Sequence, residues 1–347
     1  MSFQLPVAGS QRVTLKQGGG GRAMRALVES IFIKDMAALP FDGVGVGAMD
    51  DGAAFRIGDE WLVMTTDSHV VQPAFFPGGD IGGLSICGTV NDLAMMGATR
   101  AVGLTCGVVL EEGYSIDALR TLQRSMLDAC IEANAPVVTG DTKVMRKGEL
   151  DGIVINTTGV GLTRHLIRDN GLQVGDRIIV TGTIGDHGLA VMAARHNLDL
   201  DGELASDVAP LNGLIASVLD EIPVAVTAMK DPTRGGVASA LHEMAAKSNV
   251  GIVVDEGAVP VHASVRAAGE LLGIDPLHVA NEGKALIGVR ASAAERVLDI
   301  LRAHPRGRDA AIIGTCVDER RGSIVLDTGF GRRLLAEPDG EPLPRIC

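Results

Sequence analysis

Residues 60–96, EWLVMTTDSHVVQPAFFPGGDIGGLSICGTVNDLAMM, read as a strand, a turn and a helix in direct succession. Glu60 to Thr66 has strand composition and ends at Asp67-Ser68-His69, Phe75-Phe76-Pro77-Gly78-Gly79-Asp80 is a turn, and Ile81 to Met96 is a helix rich in Gly and small residues. That helix carries Asn91-Asp92 in its interior. Polar residues in a helix built for close packing either find partners or belong to a site.

On the N-terminal side, Gly18-Gly19-Gly20-Gly21 leads into a helix with Met24, Leu27, Val28, Ile31 and Phe32 at helical spacing. A glycine loop at a helix N-terminus presents free N–H groups and a helix dipole to an anion, although four glycines equally suit a plain flexible loop. A second glycine-rich loop, Gly43 to Gly52, carries Asp50-Asp51. On the C-terminal side, Ala101 to Leu110 is a strand, and Ser115 caps a helix whose buried face is Leu119, Leu122, Met126 and Cys130. Cys87, Cys106 and Cys130 are expected in the core. Pro136 to Thr139 is expected as a short strand running into Gly140-Asp141-Thr142-Lys143, and Ile153 to Gly161 as another.

The pattern lapses between Thr163 and Asp176, a natural link. A second half follows with strands at 177–181 and 285–290, a helix at 292–302, and the loops Gly182 to Gly188, Asp231 to Gly236 and Ala280 to Lys284. At 347 residues the chain exceeds what one core usually supports. The expected division is 1–165, 166–336 and a tail, 337–347. Strands and helices alternate irregularly, which predicts mixed α+β layers rather than a doubly wound sheet.

Aromatic residues make up 3% of the chain while glycines number 45, so the core must be aliphatic with close backbone approaches. A net charge of −12 without a basic cluster argues against nucleic acid as the partner. No signal peptide and no apolar run of membrane-spanning length is visible. Five scattered cysteines without a C-x-x-C pair fit neither a disulfide framework nor a structural zinc site, and the expectation is a cytoplasmic protein. The last of them, Cys347, ends a tail in which Pro338, Pro342 and Pro344 oppose regular structure. Such a segment is expected to be extended or mobile, with roughly eleven residues at ~3.1 Å each reaching about 35 Å.

Asp50, Asp51, Asp67, Asp92 and Asp141 fall at strand or loop ends or inside the small-residue helix. Carboxylates that converge without basic partners repel one another, and a hard divalent cation relieves this; Mg²⁺ takes a few carboxylates and completes its shell with phosphate and water. With the glycine loop, the physical reading is a Mg·nucleotide site, although each aspartate alone is a common turn or cap residue. Neither a Walker pattern nor a dinucleotide fingerprint is present.

Taken together, Thr65 to Val70, Phe75 to Gly82, Gly88 to Leu93, Gly140 to Val144, Asp231 to Gly236, Ala280 to Lys284 and the terminal Pro344-Arg345-Ile346-Cys347 resemble the HypE family of hydrogenase maturation factors. The first-half motifs are shared with the wider aminoimidazole ribonucleotide synthetase superfamily; the terminal tetrapeptide discriminates. The resemblance implies a two-domain α/β fold, a homodimer whose N-terminal domains share a barrel, and ATP with Mg²⁺ near that interface. It implies phosphate contact at Gly18 to Gly21, nucleotide contacts from Asn91, Thr142 and Arg234, and Mg²⁺ on Asp51, Asp67, Asp92 and Asp141. Arg234 either contacts phosphate or pairs with Asp231.

The implied activity is ATP-dependent dehydration of an S-carbamoyl group on Cys347 to a thiocyanate, supplying cyanide for [NiFe]-hydrogenase. HypF is the implied carbamoyl donor and a HypC–HypD complex the acceptor. Glu282, Lys143 and His187 are the base candidates, with Glu282 acting with Lys143 favoured and His187 read as a helix-start or core histidine. The competing readings are a thiamine-phosphate kinase or selenophosphate synthetase type of enzyme, or a non-catalytic nucleotide-binding scaffold. Both leave the terminal cysteine without chemistry.

Overall fold

The computed structural model describes residues 12–198, 204–339 and 345–347. Helix α1 (Gly21–Val28) continues through a π turn, Glu29–Ile33, into a short α2 (Lys34–Met36). There follow β1 (Ala53–Ile57), β2 (Glu60–His69), the two-residue strands β3 (Phe75–Phe76) and β4 (Gly79–Asp80), and α3 (Ile81–Met95). Next come β5 (Arg100–Glu111), α4 (Ile116–Ala133), β6 (Val137–Met145) and β7 (Ile153–Thr163). The long strands form one sheet in the order β1-β2-β7-β5-β6, antiparallel except for β5 with β6.

Burial alternates residue by residue along β7, so one face of the sheet carries the core. Against that face lies α3, apolar on every side: thirteen of its fifteen residues are buried, and only Gly83 and Asp92 are not. Its capping and hydroxyl groups find partners within the N-terminal half. Asp80 caps it by accepting from Gly83 N at 3.0 Å, and the Thr89 and Thr157 hydroxyls meet at 2.5 Å. Ser115 caps α4 as expected, with Leu122 buried on its inner face, whereas Cys130 is only half-buried.

The second half contains β8 (Arg177–Val180), α5 (Asp186–His196), α6 (Asn212–Leu219), β9 (Val226–Lys230), α7 (Gly236–Ser248), β10 (Gly251–Asp255) and α8 (Ala263–Leu272). It ends with β11 (Leu286–Val289), α9 (Ala294–Ala303), β12 (Ala311–Val317), β13 (Ile324–Asp327) and β14 (Arg332–Leu335). These strands form a sheet in the order β14-β13-β10-β12-β8-β11-β9, with β10 and β13 its parallel pair. Alternate residues of β8 face opposite sides. Ile178 and Val180 pack with Val237, Leu241 and Met244 of α7, while Ile179 packs with Leu214 and Ile215 of α6 and Val297 of α9. Ala94 and Met95 of α3 enter that second cluster, so the helix carrying Asp92 is seated against both sheets. The mixed α+β layering follows the sequence expectation.

Two local expectations fail. The strand that begins at Val137 does not stop at Thr139 but runs through Asp141 and Lys143 to Met145, paired with β5 along its length. The tail is not free at its tip, because Ile346 is buried among Val71, Phe76, Ile81 and Leu189. Fully burying an isoleucine side chain contributes roughly 1.5–3 kcal/mol, which favours holding the tip in that socket. Pro342 and Pro344 lie outside the described residues.

Candidate active site

A cavity of about 790 Å³ opens between the two sheets. Gly20 and Gly21 border it where α1 begins, Asp51 enters from the loop before β1, Thr65 and Asp67 from β2, and Gly88 and Asp92 from α3. From the second half come Lys230 and Asp231 at the end of β9, Arg234 just before α7, Glu243 on α7, and Glu282; Cys347 reaches the same cavity from the terminus.

The glycine corner is held to the root of the tail. Gly21 has φ +62°, and a Cβ there would come within 2.3 Å of the Pro338 carbonyl oxygen, so only glycine fits. That oxygen accepts from Arg22 N at 3.2 Å, and Arg25 ties α1 to both Glu337 (2.6 Å) and Glu243 (3.2 Å). Gly18 and Gly19 do not line the cavity.

One buried cation anchors the acidic wall. Lys230 pairs with Asp51, lies 3.4 Å from Glu243 and 3.9 Å from Asp169, and is 12% exposed. Burial alone would push its pKa down, but Asp51, Glu243, Asp169 and Asp231 outweigh burial and hold the ammonium well above its ordinary value. Neighbouring pairs lock the loop: Arg168 Nε meets Asp50 at 2.7 Å and Lys247 Nζ meets Asp169 at 2.5 Å. Even so, the cavity is short of positive charge. Burial, reinforced by Asp231, Asp67 and Asp51, raises Asp92 well above the carboxylate range, and burial with Asp51 raises Asp231 to about 8. Asp51 Oδ2 is buried without a hydrogen-bond partner. Thr65 orients Asp92 with a 2.8 Å hydrogen bond, and His69, kept neutral by burial, stands 3.5 Å from Asp67.

Glu282 sits on a loop built for it. Asp207 accepts from Glu282 N (3.1 Å) and Gly283 N (3.3 Å) and pairs with Lys284 at 3.0 Å. A Cβ on Gly283 would lie 1.9 Å from the Asp207 carbonyl oxygen. Asn281 closes the other side by donating to Pro232 O at 3.1 Å and accepting from Gly185 N at 2.7 Å. The Glu282 side chain is 3% exposed with Oε1 unpartnered. Burial, then Asp231, Asp67 and Asp207, pushes its pKa well above the usual range. A carboxyl so raised is a stronger base, once ionised, than an ordinary carboxylate, which suits an acid–base role.

The structure brings Gly20, Gly21, Asp51, Asp67, Asp92, Arg234, Glu282 and Cys347 of the expected site together. It does not bring Asp141, Thr142 and Lys143 there within one chain. Because β6 continues as an edge strand, they stand exposed on it, with Lys143 pairing with Asp141 at 2.6 Å. Asn91 is 2% exposed and does not face the cavity. Its amide donates to Ala209 O and Glu282 O and accepts from Leu211 N, so it positions the Glu282 loop. His187 is buried as expected of a core histidine, but Nε2 touches the tail, 2.9 Å from Ile346 O. Sequence reading assigned no role to Lys230, and to Asp231 only a pairing with Arg234. The available signal was a lone lysine ending the apolar strand Val226–Lys230, next to an aspartate.

Among the described residues no three acidic, histidine or cysteine side chains form a ready metal cage. The donor set nevertheless suits Mg²⁺, which needs only one or two carboxylates when phosphates supply the rest. The orphaned Asp51 oxygen and the strained acidity of Asp92 mark where positive charge is lacking.

Two glycine-bordered, carboxylate-lined halves of this kind define a class. Residues 49–163 match the N-terminal domain, and residues 173–327 the C-terminal domain, of AIR synthase related proteins. Within that class the chain belongs to the HypE family. It is 45% identical to the carbamoyl dehydratase HypE of Azotobacter vinelandii over 338 residues, covering 96% of this chain and 97% of that protein. Its fold matches the HypE-HypF complex with a TM-score of 0.83 and 43% identity over 90% of this chain and 100% of the other. It matches HypE in complex with ATP with a TM-score of 0.79 and 41% identity, over 96% and 99%. Among the described residues no helix is long and apolar enough to cross a membrane.

Proposed function

We infer that this chain is an ATP-dependent carbamoyl dehydratase that converts an S-carbamoyl group on its own Cys347 to a thiocyanate for hydrogenase maturation. The observation that carries this reading is the meeting of Cys347 with the raised carboxyl Glu282 and the α1 N-terminus in one cavity.

The chemical obstacle is the carbonyl oxygen, because hydroxide leaves poorly near neutral pH. Attack of that oxygen on the γ-phosphate of ATP, with loss of one amide proton, gives an S–C(=NH)–O–phosphate and ADP. Loss of the second N–H proton then forms C≡N as phosphate departs. Positioning and charge neutralisation supply most of the catalysis in such transfers. The Gly20-Gly21 turn, the first-turn N–H groups of α1 other than Arg22 N, and Arg234 would face the phosphates. Asp51, Asp67 and Asp92 would hold Mg²⁺, which when bound offsets charge on the phosphate oxygens. Glu282, as its carboxylate, takes the first amide proton, passes it to solvent, and then takes the second.

Asp141, Thr142 and Lys143 join the site only across a homodimer. The supporting feature is β6, an edge strand whose residues are exposed from Val137 to Val144 and which offers Val138 and Val144 to solvent. An open apolar edge is a template for pairing, and a second copy completes the barrel. On this reading residues 1–165 bind nucleotide and dimerise, 166–336 supply Glu282, and 337–347 carry the thiol. HypF loads the carbamoyl group in the cytoplasm, and a HypC–HypD complex takes the cyanide. Replacing Cys347→Ala tests the assignment. Cyanide formation is expected to vanish with ATP binding retained; product formed at the parent rate refutes it.

A further inference from the structure

Successive residues of β2 point to opposite sides of the sheet, and the odd positions meet α3. Thr65 donates to Asp92 of that helix at 2.8 Å, and Asp67 and His69 lie against Gly88. A Cβ on Gly88 would come within 2.9 Å of His69 Cε1 and 3.2 Å of Asp67 Oδ2, so the helix crosses this closely only because residue 88 is glycine. Asp67 and Gly88 border the cavity, whereas His69 is 0% exposed behind them.

The Asp67 carboxylate is held at one end. Its Oδ1 accepts from Ser68 N at 2.8 Å, and its main-chain oxygen accepts from Asn156 Nδ2 at 2.9 Å. Its Oδ2 faces His69 Nε2 at 3.5 Å, beyond the usual N–H···O range of about 2.7–3.2 Å. Among the described residues neither nitrogen of the ring has a hydrogen-bond partner. The polar neighbours are committed elsewhere: Thr157, cross-strand from Asp67, donates to Ser85 O at 2.8 Å, and Ser85 Oγ donates to Gly82 O at 2.8 Å. Ile155, cross-strand from His69, is buried and apolar. A space-filling position in such a layer favours an apolar side chain, because burying an unpaired polar ring is costly. An orphaned buried group beside a site therefore calls for a functional account.

We propose that His69 is a positioning residue of the Mg·ATP site, which donates from Nε2 to Asp67 Oδ2 and fixes that carboxylate for the cation. A neutral imidazole has one N–H to give, and a small swing of the carboxylate brings Oδ2 into range. With Oδ1 on Ser68 N and Oδ2 on His69, each oxygen keeps a lone pair for the metal. Thr65 does the same for Asp92 from the same face of the same strand. The proposal rests on the reading of Asp67 as a Mg²⁺ ligand and names what orients it.

The test is isothermal titration of the full chain with ATP, in Mg²⁺ and in EDTA; the ratio of the two affinities is the metal-dependent gain. His69→Leu should cut that gain by about tenfold or more, as loss of an outer-shell partner does, with the EDTA affinity unchanged. His69→Gln, whose side-chain amide still donates, should recover most of it, which a space-filling role would not. Asp67→Asn should lose the gain as well. In the parent protein with nitrogen-15 histidine, the His69 ring should be the Nε2–H tautomer and its signal should move when Mg²⁺ joins ATP, a readout that stands even if His69→Leu misfolds. An unchanged gain in His69→Leu, a His69→Gln protein no better than His69→Leu, or a ring signal indifferent to Mg²⁺ overturns the proposal, and the metal reading survives if Asp67→Asn has lost the gain. An Asp67→Asn protein that keeps the gain overturns the metal reading and the proposal with it.

Discussion

Replacing Lys230→Met removes the buried cation of the acidic wall while nearly conserving its volume. The cost follows from which carboxylates lose their only partner. Asp169 keeps Lys247 at 2.5 Å, and Glu243 keeps Arg25 at 3.2 Å. Asp51 keeps no cation, and its second oxygen already lacks a hydrogen bond. The loss is therefore that of one broken buried pair, about 3–5 kcal/mol, rather than three. For a protein of 347 residues that is a fall in Tm of about 4–7 °C.

The loss must also depend on pH. Burial, opposed by Lys230, already raises Asp51, and without the lysine its folded pKa rises further. A carboxyl raised above its unfolded value binds more protons when folded, so the variant loses stability as pH rises from about 4 through the folded pKa. The lysine of the parent is charged throughout that range. Thermal unfolding of both proteins at pH 8 and pH 5 is the assay. The deficit should be large at pH 8 and at least halved at pH 5; a Tm difference under about 2 °C at pH 8, or an equal deficit at both, refutes the reasoning.

Glu282→Gln keeps the loop bonds, which are made by the backbone, and removes the proton acceptor. Single-turnover dehydration should slow about 10²–10⁴-fold with ATP affinity unchanged, as isothermal titration would show. Asp141→Asn should weaken Mg·ATP binding although Asp141 is exposed on its own chain. Unchanged affinity by the same method would remove it from the metal set.

The sequence was most legible where one residue's environment is local. Strand β2, helix α3 with its Asp80 turn, and the Ser115 cap follow from composition, turn residues and capping chemistry. Legibility failed where the partner lies far along the chain. Lys230 matters because Asp51, 179 residues away, is folded against it. Asn91 looked like a ligand contact, yet its partners, 118 to 191 residues distant, make it a brace. Strand β6 was cut short because Gly140-Asp141 is a turn signal in isolation, and pairing with β5 overrides it. The tail was read from its prolines, whereas its position is set by a socket that only tertiary structure creates.

Intact mass spectrometry of the protein with carbamoyl-donor machinery tests the central claim most directly. Without ATP turnover, Cys347 should gain about 43 Da, the change from thiol to S-carbamoyl, and with Mg·ATP the gain should fall to about 25 Da, that of a thiocyanate. A carbamoyl adduct that persists unchanged in Mg·ATP, or an adduct mapped to another cysteine, contradicts the account.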